Sequence, residues 1–251
     1  MAIPERTELL PFCPEVEAWS LQRGPSDPSA PYSGFNACHY VGDSPEHVDF
    51  CRRALAEHLG IDTAHIVIPT QTHSNRVVTI ADEPQPLDGV DALVTDRKGT
   101  ALCINTADCV PVVLADPEAS VIGIAHSGWR GTISDIAGAT VRAMEALGAS
   151  PRRIKAAMGP SICAQCYNVG ADVARQFTER YGADSGVVEY NDRTPHINLG
   201  RAVAINLIRA GLDPLAIQLP AICSYHSAGA WPSARRIGTA SVRTLTLIML
   251  R

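Results

Sequence analysis

The most informative alternation of apolar and polar positions runs through residues 91–132, DALVTDRKGTALCINTADCVPVVLADPEASVIGIAHSGWRGT. Within it ALCI, VPVVLA and VIGIA are short, β-branched apolar runs bounded by Asp, Asn, Gly or Pro, the pattern of buried strands. Asp108 and Cys109 stand just before the second run and His126 just after the third, so polar corners separate the strands. Behind GWRG the period changes. TISDIAGATVRAMEALG predicts a helix with Thr132 as N-cap, Asp135 three residues on and Gly148 as its stop. Strand ends and a helix start thus meet in one stretch, and such corners are where reactive side chains are usually mounted on a rigid frame.

The same reasoning predicts a strand near Val16–Leu21, then a helix opened by Ser44, Pro45 and Glu46, with Val48, Leu55 and Leu59 on its apolar face and Gly60 closing it. HIVIPTQTHSNRVVTI predicts strands at 65–69 and 77–80 around a polar corner that carries His73. RIKAAM predicts a strand, residues 170–181 a helix, 186–190 a short strand within a loop, and LGRAVAINLIRAG a helix with Val203, Leu207 and Ile208 on one face. LAIQLP and the terminal SVRTLTLIML predict strands, with a polar loop, CSYHSAGAWPSARR, between them. Strands and helices mix without strict βαβ alternation, which predicts an α+β chain with a mixed sheet rather than a Rossmann fold.

Composition narrows the picture. No Gly/Ser linker, charge block or repeat divides the 251 residues, so one domain over 1–251 is expected, and 46% hydrophobic residues suffice for a large core. A net charge of -5 argues against nucleic acid as a partner. No run approaches the roughly 18 apolar residues of a membrane span. MAIPERTELLPF carries charge early and lacks an apolar signal core, so a cytoplasmic protein is expected. The eight cysteines then read as reduced thiols rather than a disulfide frame.

The chemistry-bearing residues are few. His73, Cys109 and His126 all lie at strand edges, and two imidazoles with a thiolate form a three-coordinate zinc set that leaves a fourth position open. The plainer alternative is a buried thiol and two unrelated histidines. Cys163 and Cys166 form a lone CxxC; structural zinc needs a second pair, so these read as ordinary thiols. GWRG lacks the Walker pattern but offers amides at a helix start and the Arg130 guanidinium, suited to a phosphate or carboxylate. Trp129 suits either stacking on a flat ring or core packing.

QTHSNRVV, DALVT, TADCVPVVLAD, IAHSGWRGT, GPSICAQCYNVG and the late CSY and SARR resemble the laccase-domain family, whose members have been called multicopper polyphenol oxidase, peptidoglycan-editing factor and purine nucleoside phosphorylase. The resemblance extends from about Asn36 to the end of the chain. It implies an α+β sandwich of mixed β-sheets layered between helices, with zinc on His73, Cys109 and His126. It further implies phosphorolysis of adenosine, inosine, guanosine or methylthioadenosine with inorganic phosphate, with some adenosine deamination. Ala234 and Ile237 depart from the family pattern, which has an aromatic before the arginine pair and an acid after it; this bears on substrate preference rather than on the metal.

On that reading Arg130, the amides of Gly131 and Thr132, and behind them Arg235 and Arg236, are expected to bind phosphate, Asp108 to act as acid or base, and Gln71 to touch substrate. Three rivals stand beside it. One is a copper-dependent phenol oxidase, because a His2Cys set also takes copper. Another is a hydrolase with Cys109 as nucleophile and His126 as base, against which Asp108 beside the thiol argues by opposing a lowered pKa. The last is a non-catalytic interaction domain, which has no need of such a set.

Overall fold

The terminal run TLTLIML is buried at every position, which a strand sustains only when both of its faces are covered. The computed structural model, which describes residues 3–9, 11–27, 29–227 and 229–251, has that arrangement. The chain first lays down β1 (Arg6–Glu8), β2 (Val16–Leu21), helix α1 (Pro45–Leu59), β3 (Ile66–Val67), β4 (Val77–Thr79), β5 (Ala92–Thr95) and β6 (Ala101–Thr106). There follow β7 (Val110–Asp116), β8 (Val121–Ser127), α2 (Trp129–Ile133), α3 (Ile136–Ala146), β9 (Lys155–Met158) and α4 (Ala171–Tyr181). The last third holds β10 (Val188–Asn191), β11 (Thr194–Ile197), α5 (Leu199–Arg209), β12 (Ile217–Gln218), α6 (Ala234–Ile237) and β13 (Thr244–Leu250).

These strands form two larger sheets, ordered β1-β2-β13-β6-β3 and β12-β9-β7-β8-β5-β4, beside a β10-β11 hairpin. Both are mixed: β3 with β6 and β4 with β5 run parallel, while β7 with β8 and β13 with β6 run antiparallel. Between the sheets Leu102, Ile104 and Ile248 meet Val113, Ile122 and Ile124. The far side of the first sheet packs Trp19, Leu247 and Met249 on Leu55 of α1. The far side of the second packs Val112 and Leu114 on α3, α4 and α5 through Val141, Phe177 and Val203. The expected layering of sheets between helices is therefore the fold. Among the described residues no helix is long and apolar enough to cross a membrane.

Local signals hold where their partners are close in sequence. Ser44 caps α1 by accepting from the His47 amide, and Gly60 ends it in the left-handed region at φ 68°. The expected helix from Thr132 is instead two helices. The Thr132 hydroxyl bonds back to the Gly128 carbonyl, and Asp135 takes φ 63° and accepts from the Gly138 amide, so it caps α3 rather than lying in a first turn. The strands expected at 65–69 and in LAIQLP shrink to two residues each, because single 3₁₀ turns at Thr63–His65 and Pro214–Ala216 take up the preceding residues. β5 and β11 were not expected. β5 is short, and β11 follows a turn at Asp192 and Arg193 whose positive φ values no glycine announces.

Candidate metal centre and substrate cavity

β7 and β8 pair with Pro111 opposite His126. That register brings the end of one strand, where His126 stands, beside the start of the other, which Cys109 immediately precedes. His73 joins them from the loop before β4, its Nε2 3.8 Å from the Cys109 sulfur and its ring centroid 4.8 Å from that of His126. The three ligand atoms lie within 4.8 Å of one another.

Asp91, fully buried just ahead of β5, organises this group. Its carboxylate accepts the amides of Thr72, His73 and Ser74 at 3.1, 3.0 and 2.7 Å, and the Ser74 hydroxyl at 2.8 Å. Holding three successive amides on one anion keeps His73 in the left-handed region at φ 63°. Asp91 also lies 2.7 Å from His126 Nδ1. An ionised carboxylate only accepts, so Nδ1 donates to it and Nε2 is the nitrogen that faces the other two ligands, where a metal would displace its proton.

The charges follow from this arrangement. Burial works against the Asp91 carboxylate, but hydrogen bonds from His126 and Ser74 override it and hold its pKa at about 2. Burial would likewise raise the Cys109 thiol, yet the charges and hydrogen bonds of His126 and then His73 bring it down to about 6. For His126 burial lowers the value, and the Cys109 thiolate with Asp91 raises it to about 9. Beside Asp108 the sequence offers no reason to expect a lowered Cys109 pKa; the two histidines supply it. Gly128 completes the cradle: a Cβ there would stand 2.7 Å from His73 Cδ2 and 2.9 Å from the Cys109 sulfur. Two imidazoles and a low-pKa thiolate, with one imidazole locked in the ligating tautomer, fit a zinc-like ion with an open position.

His73, Cys109 and His126 line a cavity of about 440 Å³ together with Tyr40, Asn105 and Arg243, a volume in the range of small-ligand sites. Asn105 is 3% exposed, and neither atom of its side-chain amide has a hydrogen-bond partner. Its backbone is held by Gln71, which donates to the Asn105 carbonyl and accepts from its amide, both at 2.8 Å. The Gln71 oxygen also accepts from the Tyr40 hydroxyl at 2.8 Å. Gln71 therefore lines the cavity with its amide already engaged.

The other expected site residues distribute unevenly. Asp108, at φ 86°, accepts the Ser224 hydroxyl on one oxygen and the Arg235 amide on the other, both at 2.7 Å. The Arg235 guanidinium bonds the Asn168 side chain at 2.8 Å and lies over Tyr167. Burial raises the Tyr167 hydroxyl to about 12, with the charges of Cys109 and Asp108 adding and those of Arg235 and Arg130 opposing. Arg130 is exposed and lies 4.3 Å over the ring of Trp129, which itself packs on the helix-side core. That face of the Trp129 ring is occupied by Arg130 rather than open to a ligand. The Thr132 amide donates to Gly128 O at 2.8 Å and is not free for an anion. Gly131 is buried in the same turn, and Arg236 turns to the Tyr225 carbonyl at 2.9 Å.

Cys163 and Cys166 do not stand alone as expected: Cys223 and His226 bring their ligand atoms within the same 4.8 Å limit. Asp91 and Asn105 were missed from sequence. DALVT showed an acid ahead of an apolar run, but nothing local announces that Asp91 is buried, and Asn105 read as the polar end of a strand.

The family profile described as multi-copper polyphenol oxidoreductase laccase matches residues 18–251. The chain is 43% identical over 242 residues to "Adenosine deaminase RL5" of an unknown prokaryotic organism, covering 92% of each. It is 44% identical over 187 residues to a purine nucleoside phosphorylase of Deinococcus radiodurans, covering 74% of this chain and 72% of the relative. Among solved structures, YlmD from Geobacillus stearothermophilus superposes with a TM-score of 0.89 at 27% identity, over 98% of this chain and 97% of that one.

Proposed function

The chain belongs to the multi-copper polyphenol oxidoreductase laccase family, and from that premise we propose that it is a metal-dependent purine nucleoside phosphorylase. The observation that carries the reading is the meeting, in one cavity, of an open His/Cys/His donor set with the unpartnered carboxamide of Asn105. Relatives named purine nucleoside phosphorylase and adenosine deaminase support the same substrate class.

His73 Nε2, Cys109 Sγ and His126 Nε2 would hold the metal, zinc by donor chemistry, with Asp91 orienting His126 and His73. Bound there, zinc supplies a positive centre that polarises an oxygen atom. Asn105 Oδ1 accepts from an exocyclic amine and its Nδ2 donates to purine N7, the two-point pattern an amide makes with adenine. In phosphorolysis a phosphate oxygen bonds to C1′ as the C1′–N9 bond breaks, and the electron pair leaves on the purine, which takes up the proton that hydrogen phosphate gives up. Donation from Asn105 to N7 stabilises that departing charge. Arg130, over Trp129, and Arg235, over Tyr167, supply the anion site. Asp108, with both oxygens engaged, positions Arg235 rather than moving a proton. Gln71 positions Asn105. Ala234 also lines the cavity and leaves room where the family pattern has an aromatic.

Turnover of adenosine should require inorganic phosphate and yield ribose 1-phosphate. Free ribose formed at the same rate in phosphate-free buffer would make the protein a nucleosidase. Arg130→Lys keeps the charge but loses the planar two-point hold, so phosphorolysis should fall roughly a hundredfold while deamination, which needs no phosphate, falls far less. Equal losses in the two activities would remove Arg130 from the anion site. The donor set also suits copper, the second reading; phenol-dependent oxygen uptake by zinc-loaded, copper-free protein would favour an oxidase.

A further inference from the structure

Away from the cavity, two short loops bring three thiols and an imidazole together. Cys163 and Cys166 flank a single turn in which the Cys166 amide bonds the Cys163 carbonyl at 3.1 Å. Residues 161 and 222–224 run alongside, with Ser161 N bonded to Ile222 O and Ser224 N to Ser161 O, each at 3.1 Å. This pairing sets Cys223 and His226 against the first loop across 60 residues of sequence. The Cys166 sulfur lies 3.0 Å from His226 Nε2, and the Cys163 amide points at the Cys223 sulfur from 3.4 Å, as backbone amides do toward metal-bound thiolates.

We propose that Cys163, Cys166, Cys223 and His226 form a second metal site, a closed tetrahedral Cys3His site that takes zinc. The spacing is C-x2-C with C-x2-H, two knuckles of two ligands each. All four ligand atoms already lie within 4.8 Å. A tetrahedron with Zn–S of about 2.3 Å has edges of roughly 3.8 Å, so small side-chain rotations close it. His226 is exposed while the three thiols are half-buried, which leaves an entry path on one side. Four protein ligands leave no open position, so this ion is structural. It braces the loops that present Tyr167 and Asn168 on one side and Ser224, ahead of Arg235, on the other, and those residues fasten Asp108 and Arg235 beside the cavity.

Zinc counted by elemental analysis and native mass spectrometry on the full chain, expressed with zinc and purified under reductant, tests this. Two ions per chain are expected in the parent and one in Cys109→Ala. Cys223→Ser should also retain one, and that ion should be the one at His73, Cys109 and His126. His226→Gln, an exposed change that leaves the fold alone, should release its second zinc first during graded chelation and expose three thiols to alkylation as it does. A parent protein with a single zinc that is lost in Cys109→Ala and kept in Cys223→Ser and His226→Gln overturns the second site and leaves the first intact. So does a disulfide among Cys163, Cys166 and Cys223, seen as an intact mass lighter by two hydrogens under reductant. Conversely, zinc that survives in Cys109→Ala at the parent level but drops in Cys223→Ser upholds this site and defeats the cavity site.

Discussion

Asp91 couples two parts of the centre through one carboxylate, the loop carrying His73 and the tautomer of His126. Its folded pKa of about 2 lies below the ordinary 3.8, so its contribution to stability is fully present above pH 3.8 and is lost as pH falls through 2. Asp91→Asn should remove that acid step from a stability-versus-pH profile and lower metal affinity about 10–100-fold. Unchanged affinity in chelator competition would sink the orienting role. Asn105 offers a second residue to test, because a buried amide without partners is costly until a ligand satisfies it. Asn105→Ala should lose about 1–3 kcal/mol of transition-state binding for adenosine, roughly 5- to 150-fold in kcat/KM, with metal content unchanged. A variant with parental kcat/KM would remove Asn105 from base recognition.

Among the elements, the corner from β8 into α2 sets the spacing of the ligands. Gly128 is its first residue, and a methyl group there would collide with His73 and Cys109. The backbone of Gly128 is extended, at φ -76°, so alanine is conformationally acceptable and only the ligands are displaced. Gly128→Ala should therefore fold normally and bind metal at the cavity about tenfold or more weakly. Native circular dichroism together with metal titration separates the two effects; parental affinity would mean that the cradle has slack. The positive φ at His73 and Asp108 belongs to the same corner region, and each is held by bonds from elsewhere, Asp91 for one and Ser224 with Arg235 for the other.

The whole molecule depends on how closely its two sheets approach. At Gly159, just after β9, a Cβ would meet the Ser20 hydroxyl at 2.7 Å and Pro111 Cγ at 2.9 Å, one atom from each sheet. Ser20 is itself bonded to Thr246 at 2.8 Å, a buried pair with little room to move. Gly159→Ala should cost about 1–3 kcal/mol by overpacking, read as a lower urea midpoint at unchanged slope. An unchanged midpoint would show that the sheets can separate there.

Contiguous residues carried much of this architecture. Ser44, Pro45 and Gly60 bound α1 because caps and stops act within a turn, and β6, β7 and β8 declare themselves as short, unbroken β-branched runs because both faces of each strand are covered. The resemblance of whole motifs pointed to His73, Cys109 and His126, which spacing alone left open. Convergence was another matter. His73 and Cys109 are 36 residues apart, and their meeting depends on the loop that Asp91 gathers and on the β7–β8 register, where a slip of one residue would turn His126 to the other face. The reading of the CxxC as ordinary thiols has the same cause: Cys223 and His226 lie 60 residues away and arrive through a loop pairing that no local pattern encodes. Burial of Asp91 and isolation of the Asn105 amide are likewise properties of surroundings that distant segments build. Caps and apolar runs are settled by neighbours in the chain, whereas ligand sets, pKa values and unsatisfied amides are settled by neighbours in space.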